Sequence, residues 1–228
     1  MKFRILAIIS AIGIAAIMVG PMPAVATGVA SGWHLGYYNP SGRALSLASV
    51  QAPASGGVAT FDFTAVPSTA LLITDQKAKN GSLIGDDSLK SLVTAHISIT
   101  NPTGVFTYYD EPVGSTLLPT VRFFFETGNA GGSDPTHYWW SNPVSLPLAT
   151  GSKIPLSSAF GVGSGSQWSD YNGQFGGTGA ADTASFDAAI SHVTAIGLSF
   201  GGGSFFENGV SISNGSGTFT LNDFSVVK

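Results

Sequence analysis

Ala59-Thr60-Phe61-Asp62-Phe63-Thr64-Ala65 alternates along its length. Phe61 and Phe63 point one way, and Thr60, Asp62 and Thr64 the other. A strand presents successive side chains to opposite faces, so this pattern reads as a half-buried β-strand. Leu92 to Thr100 repeats it, with Val93, Ala95, Ile97 and Ile99 on one face and His96 on the other. Val121-Arg122-Phe123-Phe124-Phe125-Glu126 is instead a continuous apolar run, which predicts a central strand covered on both faces.

Further strands are expected at 43–50, 105–109, 144–148, 193–200 and 218–227. The last has two partly apolar faces, so either can be the core face. Residues 151–165 read as a loop with a strand-like centre. Ser185 to His192 reads as the one short helix, with Ser185 as N-cap and Asp187 in the first turn. Roughly eight to ten strands joined by Gly-rich turns, with no composition break, predict one all-β domain. The expected architecture is a two-sheet antiparallel β-sandwich of jelly-roll type. Its length exceeds the roughly 100 residues of an immunoglobulin-like domain.

The N-terminus reads differently. Lys2 and Arg4 precede an apolar run from Ile5 to Val19, then Pro21 and Pro23, then Ala24-Val25-Ala26. This is the layout of a secretory signal peptide over residues 1–26, with residues 27–228 as the mature domain. The apolar run falls short of the roughly 20 residues a spanning helix needs, so no stable membrane anchor is expected after cleavage. Cleavage removes two cations and all 3 methionines, leaving a chain with no sulfur amino acid and a charge more negative than the −4 of the whole sequence. An exported chain with no Cys must be held by its core. The acidic balance argues against nucleic acid as a partner. Oligomeric state is not encoded in any pattern here.

Aromatic residues gather at His137-Tyr138-Trp139-Trp140-Ser141-Asn142-Pro143, and Trp168-Ser169-Asp170-Tyr171-Asn172-Gly173 mixes rings with acid and amide groups. Rings that stack on the C–H face of a pyranose, beside polar groups that fix its hydroxyls, are what sugar binding needs. Tyr138, Trp139, Trp140, Trp168, Asp170, Tyr171 and Asn172 are therefore the candidate ligand-binding residues. The other reading makes the tryptophans core residues with hydrogen-bonded indoles. Because side chains alternate on a strand, Trp139 and Trp140 should point to opposite faces, with at least one ring exposed.

No catalytic residue stands out. Gly197-Leu198-Ser199-Phe200-Gly201 spells G-x-S-x-G, but a nucleophile elbow needs a strand, a sharp turn and a helix, and this string sits in a β run. The glycines more plausibly bend the strand or admit close backbone approach. The carboxylates suited to acid–base work are Asp86, Asp87, Asp110, Glu111, Glu126, Asp170 and Glu207, and spacing pairs none of them. A jelly-roll glycoside hydrolase or polysaccharide lyase stays an alternative to a binding domain, as does a structural or adhesive envelope role. No cofactor is expected beyond a structural calcium ion, which such folds can hold on Asp and carbonyl oxygens; no D-x-D-x-D-G loop supports one.

The strings Tyr138-Trp139-Trp140-Ser141-Asn142-Pro143, Trp168-Ser169-Asp170-Tyr171-Asn172-Gly173 and Gly197 to Gly209 resemble a group of uncharacterised secreted bacterial proteins. That resemblance implies secretion and carries over no active-site residues. More distantly, the element order is similar to galactose-binding-like jelly rolls, which occur in carbohydrate-binding modules. It implies a binding domain without fixing a ligand, because such folds host many roles.

Overall fold

The computed structural model describes residues 30–38, 45–65, 68–80, 82–100, 103–110, 115–128, 135–142, 146–148, 151–170, 180–202 and 209–228. The signal segment, Tyr171 and Asn172 lie outside them. The chain is an all-β sandwich, as its alternating runs predict. In chain order the strands are β1 (Ala30–Tyr38), β2 (Leu45–Gln51), β3 (Ala59–Phe63), β4 (Thr69–Thr74), β5 (Leu92–Thr100), β6 (Val105–Asp110), β7 (Ser115–Leu117), β8 (Thr120–Glu126), β9 (Tyr138–Ser141), β10 (Leu146–Pro147), β11 (Gly151–Ala159), β12 (Trp168–Asp170), β13 (Ala195–Gly201), β14 (Ser211–Ser213) and β15 (Gly217–Val227). Two helices interrupt them, α1 (Lys77–Asn80) and α2 (Ala180–Ile190).

Twelve strands form one antiparallel sheet, ordered β11-β5-β15-β3-β2-β1-β4-β13-β8-β9-β12 with β10 on β8. Between β2 and β3 the ladder narrows to the pair Gln51↔Thr60. The sheet curls there, and its two halves pack face to face. Phe224 of β15 meets Trp33 of β1 at 5.2 Å and Phe123 of β8 at 5.8 Å between ring centroids. Phe200 of β13 meets Phe63 of β3 at 5.5 Å and Phe219 of β15 at 5.2 Å. Edge-to-face aromatic pairs of this kind add about 0.5–1.5 kcal/mol each beyond the area they bury. They stand in for the disulfides that this Cys-free chain lacks. A three-stranded sheet, β14-β6-β7, joins the core through Phe106, 5.1 Å from Phe63.

Several elements depart from expectation. Residues 151–159 are a full strand, where the sequence predicts only a loop with a strand-like centre. Ser185 lies inside α2 and does not cap it, because the Ala-rich start at Ala180-Ala181 carries helix propensity further back. The two-faced pattern of β15 has a physical cause: a bulge between Leu221 and Asp223 shifts the register. Phe219 and Leu221 enter the core before the bulge, and Val226 enters it after, from positions of opposite parity.

The outer face of β5 and β15 is a polar ladder. His96 Nδ1 lies 2.9 Å from Asp223 Oδ1, Thr94 Oγ1 lies 2.7 Å from Ser225 Oγ, and Asn222 Nδ2 donates to Ser98 Oγ at 3.2 Å. The His96–Asp223 pair is open to water, where such pairs contribute little. Asp223→Ala is therefore expected to change unfolding free energy by less than about 1 kcal/mol in urea denaturation.

Candidate functional site

Three of the four tryptophans belong to the main core. Trp168 is fully enclosed, its Nε1–H donates to the Ala159 carbonyl at 2.8 Å, and its ring lies 5.2 Å from Phe125 and 6.0 Å from Phe186. Trp139 stacks on Phe125 at 6.0 Å and meets Phe186 of α2 edge-on at 5.5 Å. Trp33 packs under Phe224. Trp140 does point the opposite way from Trp139, as alternation requires. The expected exposed ring is nevertheless absent: both are buried, because β9 is covered on both faces. Asp170, opposite Trp139 in the β9–β12 pair, is half-buried at the end of β12.

Trp140 belongs to a second apolar cluster with Ala70, Leu71, Ile73, Phe124, Tyr138 and Ala195. This cluster lies on the face of β4-β13-β8-β9 turned away from the main core. The register arranges that face in three rows. One row runs Ala195, Glu126, Tyr138; the next runs His34, Ile73, Gly197, Phe124, Trp140; the third runs Gly36, Leu71, Ser199, Arg122. The middle strand β13 thus contributes only the small residues Ala195, Gly197, Ser199 and Gly201 to this face. On one side stand Leu71 and Ile73. On the other stand Phe124, Tyr138 and Trp140, whose ring centroids are 5.1–5.9 Å apart. Small residues therefore lie between aliphatic and aromatic side chains, and all of these are closed to solvent.

Gly197 has a further reason to be glycine. A Cβ there would lie 2.0 Å from the Leu72 carbonyl oxygen and 2.8 Å from Ile73 Cα. Close approach of β13 to β4 permits no side chain at that point.

Polar groups line the same face. Arg122 is 7% exposed and Glu126 1%. Burying ions costs several kcal/mol each unless they are paired, so neither is a neutral choice for a covered sheet face. The Trp140 indole Nε1 is buried and has no hydrogen-bond partner among the described residues. At the rim, His34 Nδ1 stands 3.3 Å from Asp75 Oδ1, which also accepts from Gln76 Nε2 at 2.9 Å, and both His34 and Asp75 are partly open to solvent.

Ring faces, a cation, a carboxylate and a hydroxyl share this one face, all of them closed to solvent. Ser199 has Leu71 and Arg122 as its cross-strand neighbours, and its strand runs on to Gly201 without turning into a helix, so the G-x-S-x-G string is a structural strand here. Among the described residues, no group of three or more His, Asp or Glu side chains could hold a metal ion.

Sequence reasoning placed Tyr138 and Trp140 in a site, named Glu126 and Ser199 only as isolated groups, and missed Leu71 and Ile73. The run Thr69-Ala70-Leu71-Leu72-Ile73-Thr74 carried the signal, since an apolar stretch bounded by threonines reads as a doubly covered strand.

The fold defines the class as an all-β sandwich with a second, buried aromatic cluster. Neither a scan against protein-family models nor a search of curated proteins finds a match to the chain.

Proposed function

We propose that this chain is a secreted, non-enzymatic binding domain for a polysaccharide or cell-surface glycan, taken at the β4-β13-β8-β9 face, which is closed to solvent in this structure and must be uncovered for binding. The observation that carries this reading is the placement of Arg122, Glu126 and Ser199 beside Tyr138 and Trp140 on one sheet face. Sugars need that mixture: C–H faces stack on rings while charged and hydroxyl groups fix orientation. The unpartnered Trp140 indole supplies a donor that a sugar hydroxyl can satisfy. The expected export over residues 1–26 places such a domain where glycans are found. Of the residues named from sequence, Trp139 and Trp168 support the site from within the core rather than contacting the ligand.

A screen of plant, bacterial and animal glycans, followed by calorimetry on the best binder, tests this. Trp140→Ala is expected to weaken binding at least about tenfold, the scale of one lost stacking or donor contact. Trp139→Phe, which keeps a ring in the core, should bind as the parent does. Absence of binding across the screen, or equal affinity for Trp140→Ala, would overturn the proposal.

A structural or adhesive role is the second reading. Val105 and Tyr109 share one face of β6 and are exposed, and exposed Leu118 follows β7. Exposed apolar faces favour self-association. Light scattering that showed a strict monomer at high concentration would count against it.

A further inference from the structure

We propose that the Asp87 carboxyl is a proton-operated latch that holds segment 85–91 against the C-terminal end of α2. The segment is clamped there by backbone bonds. Asp87 N–H donates to the Ile190 carbonyl at 2.9 Å, and Gly85 and Val193 exchange bonds of 2.8 and 2.9 Å. Lys90 N–H returns to the Asp87 carbonyl at 2.9 Å, and Phe160 N–H donates to the Ser91 carbonyl at 2.9 Å. These bonds carry the Asp87 side chain inside, where the residue is only 2% exposed and Oδ2 has no hydrogen-bond partner among the described residues. A carboxylate in that position loses its hydration without full replacement, and the neutral carboxyl pays a much smaller cost for the same burial.

The charged groups around it do not reverse this. Burial pushes the Asp87 carboxyl up to about 6, Lys90 pulls it down, and neighbouring Asp86 pushes it up. Asp86 itself is exposed and lies near His192, beyond the end of α2. Asp187 of α2 is occupied by the Gly163 N–H at 2.9 Å. Lys228 follows Val227, whose carbonyl accepts from Ser91 N–H at 2.8 Å.

The sign follows from linkage. The folded carboxyl binds its proton more tightly than the unfolded one, whose ordinary value is 3.8. Between that value and about 6 the folded state holds more protons, so stability rises as pH falls through this window. Above it the ionised group strains the clamp. The segment therefore tightens in mildly acidic surroundings and loosens near neutrality.

Amide hydrogen exchange by NMR at about pH 7.5 and about pH 5, corrected for intrinsic rates, tests the latch. Protection at Gly85, Asp87 and Val193 is expected to rise at least about tenfold on acidification, one pKa unit being tenfold. Asp87→Asn should be highly protected at both pH values, and His192→Gln should keep the parent's response. Flat protection in the parent, or an unchanged response in Asp87→Asn, would overturn the proposal. Should Asp87→Asn fail to fold, the ¹³C carboxyl titration of Asp87 in the parent decides: a midpoint near 6 supports the latch, and one near the ordinary carboxylate value contradicts it.

Discussion

Trp168→Ala is expected to cost about 3–5 kcal/mol, the range for removing a large aromatic from a packed core. The ring is fully enclosed among Phe125, Phe160 and Phe186, so α2 and the sheet both lose their contact with it. The Ala159 carbonyl also loses the indole donor that reaches it at 2.8 Å. Against a total stability of about 5–15 kcal/mol, that loss is a large fraction. In a domain of this size the melting temperature should fall by roughly 6–20 °C. Trp168→Phe, which keeps ring volume but no donor, should cost less, and the difference between the two variants in urea denaturation separates packing from the hydrogen bond. A melting temperature unchanged in Trp168→Ala would mean that the ring is not the keystone of that end of the core.

Gly197→Ala is the second large effect. The added methyl would sit 2.0 Å from the Leu72 carbonyl oxygen, and the nearby atoms that must yield are backbone. β13 cannot part from β4 without breaking the centre of the sheet, because the two strands pair from Ile196↔Thr74 to Ser199↔Leu71. Overpacking usually costs about 1–3 kcal/mol where side chains can move aside, and more is expected here, about 3 kcal/mol or above. Gly163→Ala is the control. That glycine has φ +85° but open space around it, so only the left-handed backbone penalty of about 1–2 kcal/mol applies. Thermal denaturation of the two variants should separate them clearly, and equal losses would refute the close approach of β13 to β4.

Much of the fold could be read from alternation alone. Residues 92–100 and 59–63 became strands with the predicted face inside, and 121–126 became a central strand with Phe123 and Phe125 in one cluster and Phe124 in the other. What alternation could not deliver was the effect of tertiary cover. It correctly turned Trp139 and Trp140 to opposite faces, yet exposure depends on what lies over each face, and that is not a local property. The β15 bulge had the same character: one inserted residue changed which parity is buried, leaving a pattern that looked two-sided. The candidate site was harder still. That face exists only because β4, β13, β8 and β9 lie side by side, and their order, with β4 next to β13 across more than a hundred residues of chain, has no signature in spacing.

The central proposal is that the second face takes a glycan, and one spectrum tests it most directly. Each of the four tryptophans contributes one indole ¹H–¹⁵N signal. On titration with the glycan that binds best, the Trp140 indole should shift progressively while those of Trp33, Trp139 and Trp168, enclosed in the main core, stay nearly still. Movement confined to the polar ladder around His96 and Asp223, or saturable binding that leaves the Trp140 signal in place, would contradict a site over β13.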